Sequence, residues 1–283
     1  MRNTFQKKMK RTLVGLLAFC LILGFCRFEN NAITVSDYVI ESEKLPESFD
    51  GFVIVHLSDL HNKSFGNHQE RLIRQIKNQK PDMIVITGDL IDSNRSDIEP
   101  GLVLVEEALK IAPVYFVTGN HDNWLSDTDT YYLFHGLEQL GAVVLKDESV
   151  KISCGKEENF TLLGVDDETI SSESKLNEVL SALTEEEDAP FTVLLAHEPQ
   201  EIAVYAAFDM DLVLSGHAHG GQFRIPFIGG FVAPDQGFLP EYTKGMYVRN
   251  ATRMIVNAGL GNSVVPQRLL NRPELVKITL KCK

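Results

Sequence analysis

The 283-residue sequence predicts an α/β fold with mainly parallel strand pairing in at least one sheet. Short, continuous apolar runs, typical of strands buried on both faces, alternate with helical patterns in the first half of the chain. A group of short strands follows, and the alternation then resumes. The 44% apolar content is enough for a sizeable core, and the length favours one large domain behind an N-terminal extension.

The elements of the first half follow from the period of the apolar residues. The apolar runs predict strands at 33–40, 52–57, 83–87 and 114–117. Helical periodicity predicts helices at 69–78, 98–111 and 127–140. The first two helices each lead from one buried-type strand to the next, which is the βαβ arrangement of parallel sheets.

The second half begins with short strands that we expect to pair antiparallel, at 143–145, 150–153 and 160–165. Further on, helices are expected at 172–187 and 201–207, and strands at 191–195, 212–214, 246–248, 253–256 and 275–280. The Gly- and Pro-rich stretch 216–242 has no clear period and is typical of a loop that forms a site.

The N-terminal extension has the composition of a membrane segment. A basic stretch precedes the uncharged residues 12–26 (TLVGLLAFCLILGFC), which fall between a signal-peptide core and the roughly 20 residues that span a bilayer. No small-residue cleavage site follows, so we expect an uncleaved membrane anchor at 1–28, a lead-in segment at 29–50 and the main domain at 51–283. The basic flank should stay on the cytoplasmic side of a bacterial cell membrane, which places the main domain outside the cytoplasm. A cleaved signal segment and a buried core helix are the alternatives.

The charge of the main domain excludes one class of partner. Residues 1–27 hold six basic and no acidic side chains, so the rest of the chain carries 21 basic against 39 acidic side chains, a net charge of about −18. This charge opposes general binding to nucleic acid, which relies on clustered Lys and Arg. It does not oppose a phosphate ester at a metal centre, because bound cations reverse the local field.

Five short polar segments each follow an apolar run that reads as a strand. In chain order they are Asp59-Leu60-His61, Gly88-Asp89, Gly119-Asn120-His121-Asp122, Ala196-His197-Glu198-Pro199 and Gly216-His217-Ala218-His219-Gly220-Gly221-Gln222. Ligands of open α/β sheets bind at the carboxyl ends of strands, so these segments should converge there. Their Asp, His and Asn side chains suit manganese, iron or zinc, and the set predicts a site for two adjacent divalent ions.

The spacing within the segments supports a shared site. Asp59 and His61 are two residues apart, so in an extended strand end they point to the same side. The glycine before Asp89 lets the backbone turn and present a carboxylate that can bridge two ions about 3.5 to 4 Å apart. His217 and His219 repeat the two-residue spacing and can serve one ion each or the same ion.

In this order the segments resemble the signature of the calcineurin-like metallophosphoesterase family: D-x-H, G-D, G-N-H-D/E, a lone H and G-H-x-H. The resemblance extends over residues 52–222. It implies a four-layer αββα sandwich with two mixed β-sheets flanked by helices. It also implies hydrolysis of a phosphoric ester by a hydroxide that bridges two metal ions and attacks phosphorus in line.

The resemblance also assigns roles to individual residues. One ion would be held by Asp59, His61, Asp89 and His219, and the other by Asp89, Asn120, His197 and His217. His121 would face the substrate and stabilise or protonate the leaving oxygen. The Asp122 carboxylate would orient the His121 ring.

A departure from the family pattern narrows the substrate class. Protein serine/threonine phosphatases carry G-D-x-x-D-R-G, whereas residues 88–94 read GDLIDSN, which argues against a protein phosphatase. The N-terminal segment, the His-rich loop and the tail 257–280 resemble a membrane-anchored bacterial branch similar to UDP-2,3-diacylglucosamine pyrophosphatases. We therefore expect a phosphodiester or pyrophosphate substrate that is lipid-linked or sugar-nucleotide-linked. The alternatives are a phosphomonoesterase or nucleotide phosphodiesterase without lipid preference, and a noncatalytic scaffold.

Three further residues are candidate substrate contacts. Gly221 and Gln222 shape the loop beside the second ion and can also contact the substrate. Arg268 can contact a diphosphate or a membrane surface, or belong to a solvated face. Asp92 can support the site, although capping of the next segment is favoured. The oligomeric state stays open.

Overall fold

The computed structural model describes residues 2–95, 97–155, 158–185 and 191–283. The helices are α1 Arg2–Asn31, α2 Glu70–Gln79, α3 Glu99–Leu109, α4 Asn120–Asn123, α5 Asp127–Leu140, α6 Asp167–Ile170, α7 Glu173–Glu185 and α8 Ile202–Ala207. The first eight strands are β1 Thr34–Ser42, β2 Val53–Leu57, β3 Met83–Thr87, β4 Val114–Val117, β5 Val143–Val144, β6 Glu148–Cys154, β7 Glu158–Gly164 and β8 Thr192–Leu195. The other eight are β9 Leu212–Ser215, β10 Arg224–Ile225, β11 Gly229–Gly230, β12 Val232–Ala233, β13 Gly237–Phe238, β14 Gly245–Arg249, β15 Thr252–Val256 and β16 Glu274–Cys282.

Most strands belong to two six-stranded mixed sheets. The first sheet has the order β1-β16-β2-β3-β4-β5, and the second has the order β14-β15-β9-β8-β7-β6. In the first sheet, β2 to β5 are parallel and β16 is antiparallel to β2. In the second sheet, β7, β8, β9 and β15 are parallel, and the edge strands β6 and β14 are antiparallel to their neighbours.

Three apolar cores separate four layers. Helices α2, α3 and α5 cover the outer face of the first sheet through residues such as Leu104. The inner faces of the two sheets meet through Val85 and Val193, and α7 and α8 cover the second sheet through Leu180 and Tyr205. Each fully buried aliphatic side chain contributes about 1.5 to 3 kcal/mol to folding. The fold is the expected αββα sandwich.

Most predicted elements are present with small boundary shifts, and two expectations were wrong. The strand β5 was expected to pair antiparallel, but it pairs parallel with β4 at the edge of the first sheet. The reason is that α5 crosses back over the sheet between the two strands, as in the preceding βαβ units. The predicted loop 216–242 contains two short antiparallel hairpins, β10–β11 and β12–β13. Residues 186–187 of the predicted acidic helix lie outside the described residues.

The N-terminal helix joins the main domain at the edge that carries the polar segments. Helix α1 continues past the predicted boundary at 28, and its stretch Phe5–Asn31 is long and apolar enough to cross a membrane. Strand β1 begins at Thr34, opposite Glu274 of β16, and Val276 of β16 lies opposite His56 in β2. Since β16 runs antiparallel to β2, α1 ends at the carboxyl edge of β2, β3 and β4.

Candidate metal centre

The five polar segments meet at one edge of the molecule. The first sheet contributes its segments from the carboxyl ends of β2, β3 and β4, and the second sheet contributes them from β8 and β9. The seven predicted ligands are all buried there: Asp59, His61, Asp89, Asn120, His197, His217 and His219.

The first group of side chains consists of two carboxylates and two imidazoles. Ligand atoms of Asp59, His61, Asp89 and His219 lie within 4.8 Å of one another. His61 Nε2 is 3.3 Å from Asp89 Oδ2, and His219 Nε2 is 3.5 Å from Asp59 Oδ1. The Nε2 atoms of His61 and His219 are 3.2 Å apart. Oxygen and nitrogen donors thus face one point, an arrangement that suits a divalent cation.

The second group shares Asp89 with the first. Ligand atoms of Asp89, His197 and His217 lie within 4.8 Å of one another, and His197 Nε2 is 3.4 Å from Asp89 Oδ2. Asn120 Oδ1 lies 3.1 Å from His217 Nδ1 and adds an amide oxygen. The two groups contain the same residues as the two expected ligand sets, with Asp89 common to both.

The chemistry of this donor set fits metal ions. His197 Nε2 is buried and has no hydrogen-bond partner within the described residues, and buried polar atoms without partners are rare. Burial alone would raise the pKa of the Asp89 carboxyl, but the imidazoles of His197 and His61 lower that pKa well below its usual range. Asp89 is therefore held as the anion that a metal ligand has to be.

Left-handed backbone conformations are concentrated at the same residues. Positive φ angles between 46° and 65° occur at five of the predicted ligands: Asp59, His61, Asp89, His217 and His219. For a residue other than glycine this conformation is uncommon and costs on the order of 1 kcal/mol. The surrounding structure holds this strain, which turns the side chains toward a common centre.

Gly88 allows the close approach of the segments. Its φ is +81°, and a Cβ there would lie 2.6 Å from the Gly119 backbone and 2.7 Å from His197 Nδ1. Only glycine accommodates both the conformation and the contact. The expected sharp turn before Asp89 is confirmed.

Hydrogen bonds to the second ring nitrogen fix two of the imidazoles. His197 Nδ1 lies 2.7 Å from Thr87 O, and His217 Nε2 lies 2.8 Å from Asp235 Oδ2. Such partners set the tautomer and the ring orientation of metal-binding histidines. Sequence reasoning missed Asp235, which lies between β12 and β13 in the irregular stretch 216–242, away from the five polar segments.

The His121 ring lies beside the ligands but has other partners. His121 Nδ1 is 3.0 Å from Ser93 Oγ and 3.7 Å from Asp92 Oδ1. His121 Nε2 is 3.3 Å from Ser263 Oγ. Burial lowers the pKa of the His121 imidazole. Asp92 also accepts hydrogen bonds from Asn94, so it both caps the segment, as favoured, and lies beside the ring.

The expectation that Asp122 orients His121 was wrong. The Asp122 carboxylate accepts hydrogen bonds from the backbone N–H groups of Gly119, at 3.0 Å, and Ile91, at 3.1 Å. It thereby ties the loop after β4 to the loop after β3. Burial and the charge of Asp89 raise the pKa of Asp122 to about 7. The Asp92 carboxylate, which belongs to the GDLID segment, lies 3.7 Å from His121 Nδ1.

The predicted substrate contacts differ in their surroundings. Gln222 lines a pocket beside the metal-ligand groups, and its buried Oε1 has no partner among the described residues. Gly221 has a packing role, because its φ is +78° and a Cβ there would lie 2.3 Å from Gly230 Cα in β11.

Arg268 belongs neither to a substrate-binding surface nor to a solvated face, which corrects both expectations. Its side chain is fully buried. The guanidinium donates hydrogen bonds to the carbonyl oxygens of Gly261 and Ala258 and to Asn262 Oδ1. Burial lowers the pKa of Arg268 to about 10, so the group stays charged at neutral pH. Arg268 therefore holds the chain segment 258–271 in place.

Two depressions of different character open beside the ligand groups. The apolar pocket has a volume of about 310 Å³. Its walls, apart from the site residues, are Trp124, Val232, Ala233, Pro234, Val264 and Val265. The cationic recess has a volume of about 220 Å³ and is lined by His61, Lys63, Arg95, Asn262, Ser263 and Pro266. Ser263 also lines the apolar pocket.

Comparison with known proteins identifies the family. Residues 52–221 match the calcineurin-like phosphoesterase family. The uncharacterized metallophosphoesterase YkuE of Bacillus subtilis is 31% identical to this chain over 99% of both chains. A transmembrane protein with metallophosphoesterase domain from Danio rerio is 31% identical over 87% of this chain and 57% of its own length.

One solved structure supports the fold. The crystal structure of TT1561 of Thermus thermophilus has a TM-score of 0.52 to this chain, at 12% identity, and the match covers 74% of this chain and 90% of that one. The ordered polar segments, their convergence on two groups that share Asp89, and the match over 52–221 agree. The chain belongs to the calcineurin-like phosphoesterase family of metal-dependent hydrolases.

Proposed function

We propose that this protein hydrolyses a phosphodiester or pyrophosphate bond at a centre of two divalent metal ions. The observation that carries the proposal is that two groups of ligand side chains share the Asp89 carboxylate. A shared carboxylate is typical of sites in which two ions act on one phosphoryl group. The donor types leave manganese, iron and zinc as candidates.

The site residues would have two roles, binding the metal ions and orienting the imidazole ligands. Asp59, His61 and His219 would hold one ion, and the second group would hold the other, with Asp89 bridging both. When bound, two such ions polarise the phosphoryl oxygens and lower the pKa of a shared water to near 7. Asp235 and the Thr87 carbonyl would keep the imidazoles of the second group oriented.

His121 would act on the leaving group. Its Nδ1 is held beside Ser93 and Asp92, which leaves Nε2 on the side of Ser263 and the apolar pocket. A protonated imidazole there can donate its proton to the leaving oxygen. Burial lowers the pKa of the His121 imidazole, and the charges of Asp89 and Asp92 oppose that shift.

The two depressions support an amphiphilic substrate. Apolar walls on one side of the phosphoryl position suit an acyl chain or a similar group. Lys63 and Arg95 on the other side suit a second anionic group such as a further phosphate. Lipid-linked diphosphates have both features, and UDP-2,3-diacylglucosamine is one member of this class.

A second candidate is a nucleotide phosphodiesterase without lipid preference. The observation that favours it is Trp124, which is 66% exposed at the apolar pocket and can stack on a base. The scaffold alternative finds no support in the site, because the complete ligand set and His121 lie together.

A substrate comparison on the full-length protein tests the proposal. The chain in detergent, loaded with Mn²⁺, is assayed on a phosphomonoester, on bis-p-nitrophenyl phosphate and on UDP-2,3-diacylglucosamine. We expect the lipid diphosphate to have the highest kcat/KM. Preference for a nucleotide diester would favour the second candidate, and no turnover of any ester would contradict the proposal.

The matched variants are His121→Ala and His135→Ala, the latter an exposed histidine of α5. We expect His121→Ala to lower kcat by about 10²-fold, the usual contribution of a general acid, and His135→Ala to leave it unchanged. Bound manganese should be equal in both. Since His121 also lies within 4.8 Å of donors from His61 and Asp92, loss of metal in His121→Ala would instead make it a ligand.

We also propose that α1 anchors the protein in a membrane, with the main domain outside the cytoplasm. The stretch Phe5–Asn31 supports this by its length and composition, and the Danio rerio relative is described as a transmembrane protein. Protease added to intact bacterial cells that express the protein should degrade the main domain. Degradation only after lysis would contradict the orientation.

A further inference from the structure

Six large apolar side chains are more than half exposed in the loops beside the apolar pocket. We refer to them as the apolar rim: Phe227, Ile228, Phe238, Leu239, Val264 and Leu270. Phe227 is fully exposed and Val264 is 85% exposed. Exposed apolar groups of this number mark a surface that is covered by another phase or another molecule.

The rim is continuous from the end of α1 to the mouth of the pocket. Leu270 shares one groove with Phe28 of α1 and another with Phe227 and Ile228. Further along, Phe238 lies opposite Val232 in the hairpin β12–β13, and Val232 is a wall of the pocket.

Helix α1 is fixed to the same loops. Asn30 Nδ2 donates to Pro266 O at 2.9 Å, and Arg268 N donates to Asn30 Oδ1 at 2.7 Å. Asn271 N donates to Glu29 Oε2, and the Lys63 ammonium donates to Asn30 O. The last turn of α1 is therefore part of the domain and not a free tether.

These contacts determine where a bilayer would lie. The apolar part of α1 ends at Phe28, which lies against Arg272 and, across one groove, against Leu270. Arg27 and Arg272 can meet lipid headgroups at this level. A bilayer around α1 therefore ends at the rim, and exposed aromatic and aliphatic side chains at this depth insert into the boundary between headgroups and acyl chains.

We propose that the apolar rim is a membrane-docking surface that turns the apolar pocket toward the lipid, so that substrate enters from the bilayer. The entry route rests on the proposed function, whereas docking rests only on α1 and the rim. Docking is measured without catalysis, so an inactive enzyme would overturn the proposed function and leave the docking result intact.

Depth-dependent fluorescence quenching tests the docking. Trp124 is the single tryptophan of the chain, so Trp124→Phe gives a silent background for one new reporter. The reporters are Phe227→Trp and Phe238→Trp on the rim. The control is Leu140→Trp, which is 37% exposed at the end of α5, at the opposite edge of the first sheet.

The full-length variants are reconstituted in phosphatidylcholine–phosphatidylglycerol vesicles with or without acyl-chain bromines. We expect bromolipid to reduce rim fluorescence at least about twofold and to leave Leu140→Trp unchanged, because only a bilayer brings bromine to the rim. Equal quenching of rim and control would overturn the inference. Blue-shifted emission of the rim reporters without quenching would indicate that a protein partner covers the rim. Failure of the protein to float with the vesicles would show that α1 is no anchor. Either result would overturn the inference.

A kinetic measurement tests the entry route. Phe227→Ser and Phe238→Ser should retain activity on bis-p-nitrophenyl phosphate, because neither side chain lines the pocket. Both should lose about tenfold in kcat/KM on a diphosphate embedded in vesicles, where docking precedes binding. Equal kinetics of the variants and the parent protein on the embedded substrate would overturn the route.

Discussion

The apolar pocket and the cationic recess lie on two sides of the same ligand groups and differ in their chemistry. The pocket has walls of valine, proline and an exposed tryptophan. The recess carries Lys63 and Arg95, although the main domain is strongly acidic. Under the proposed function, the shared ligand groups would carry the reaction, and the two depressions would select the chemical groups on either side of the phosphorus atom.

One chain segment separates the two depressions. Val264 and Val265 face the pocket, while Asn262 and Pro266 face the recess. Arg268 holds this segment through backbone carbonyls. A buried charge that makes several charge-assisted hydrogen bonds gives a stiff wall, so the contrast between the depressions depends on a residue that touches neither.

The largest effect should come from Asp89→Asn, which removes the carboxylate that the two ligand groups share. The amide cannot bridge two cations as a carboxylate does, so several kcal/mol of transition-state stabilisation should be lost. At 1.4 kcal/mol per tenfold, kcat/KM should fall on the order of 10³-fold for every substrate. A loss confined to one substrate class, measured in parallel assays, would contradict a common centre.

Arg268→Met should loosen the chain segment that separates the two depressions, because its hydrogen bonds to backbone carbonyls are lost. Leaving buried carbonyls without their charged donor should lower the free energy of unfolding by about 3 kcal/mol. Urea denaturation measures this, with Arg272→Met, a half-buried arginine beside Phe28, as the matched control. A change within about 0.5 kcal/mol, the usual range for surface substitutions, would show that the wall is held otherwise.

Arg95→Gln should weaken the binding of an anionic substrate group in the recess and leave binding in the apolar pocket unchanged. A charge-assisted hydrogen bond contributes roughly 1.5 to 3 kcal/mol, so KM for a lipid diphosphate should rise about tenfold. KM for a diester with a single charge should stay the same, and Arg95→Lys should restore part of the loss. Equal effects on both substrates would mean that Arg95 acts through Asp92, to which it donates two hydrogen bonds.

Substrate binding in the recess should depend on pH through Lys63, whereas binding in the apolar pocket should not. Burial and the charges of Arg268 and Arg71 lower the pKa of Lys63 to about 7, so its ammonium is charged below that pH and neutral above it. As the pH rises through 7, KM for the lipid diphosphate should increase about fivefold relative to KM for bis-p-nitrophenyl phosphate. The ratio of the two KM values cancels titration at the shared centre, and a constant ratio would remove Lys63 from substrate binding.

The smallest effect should come from Val264→Ser, which changes the pocket and one of the six side chains of the apolar rim and leaves the recess intact. Losing the contact of two methyl groups should raise KM for a lipid-linked substrate about threefold. A delipidated analogue of the same diphosphate should be unaffected. Val248→Ser, on the exposed face of β14, is the control. A rise for the analogue as well would indicate that the loop has moved.

The ordered motifs predicted which side chains converge at the strand ends, but they did not predict the residues that hold those side chains in place. Asp59, Asp89 and His217 could be placed together because each follows a buried strand, and parallel strands end at one edge. Asp235 could not, because its position depends on the hairpin β12–β13 in a stretch without period.

Two further errors have the same origin. Adjacency in sequence suggested that Asp122 serves His121, but the turn after β4 directs that carboxylate to backbone N–H groups. The sequence suggested a surface role for Arg268, because its partners are backbone carbonyl oxygens, which every residue has and which residue types therefore do not reveal. The αββα layers followed from the family resemblance, while the parallel pairing of β5 required the path of α5.

The central claim is that two metal ions share Asp89. The most direct test is to saturate the full-length protein with Mn²⁺, remove the excess, and record metal content and the electron paramagnetic resonance spectrum. We expect two manganese ions per chain and the multiline spectrum of a coupled pair, since ions bridged by one carboxylate lie about 3.5 to 4 Å apart. Saturation at one ion per chain, or two ions without coupling, would contradict the account.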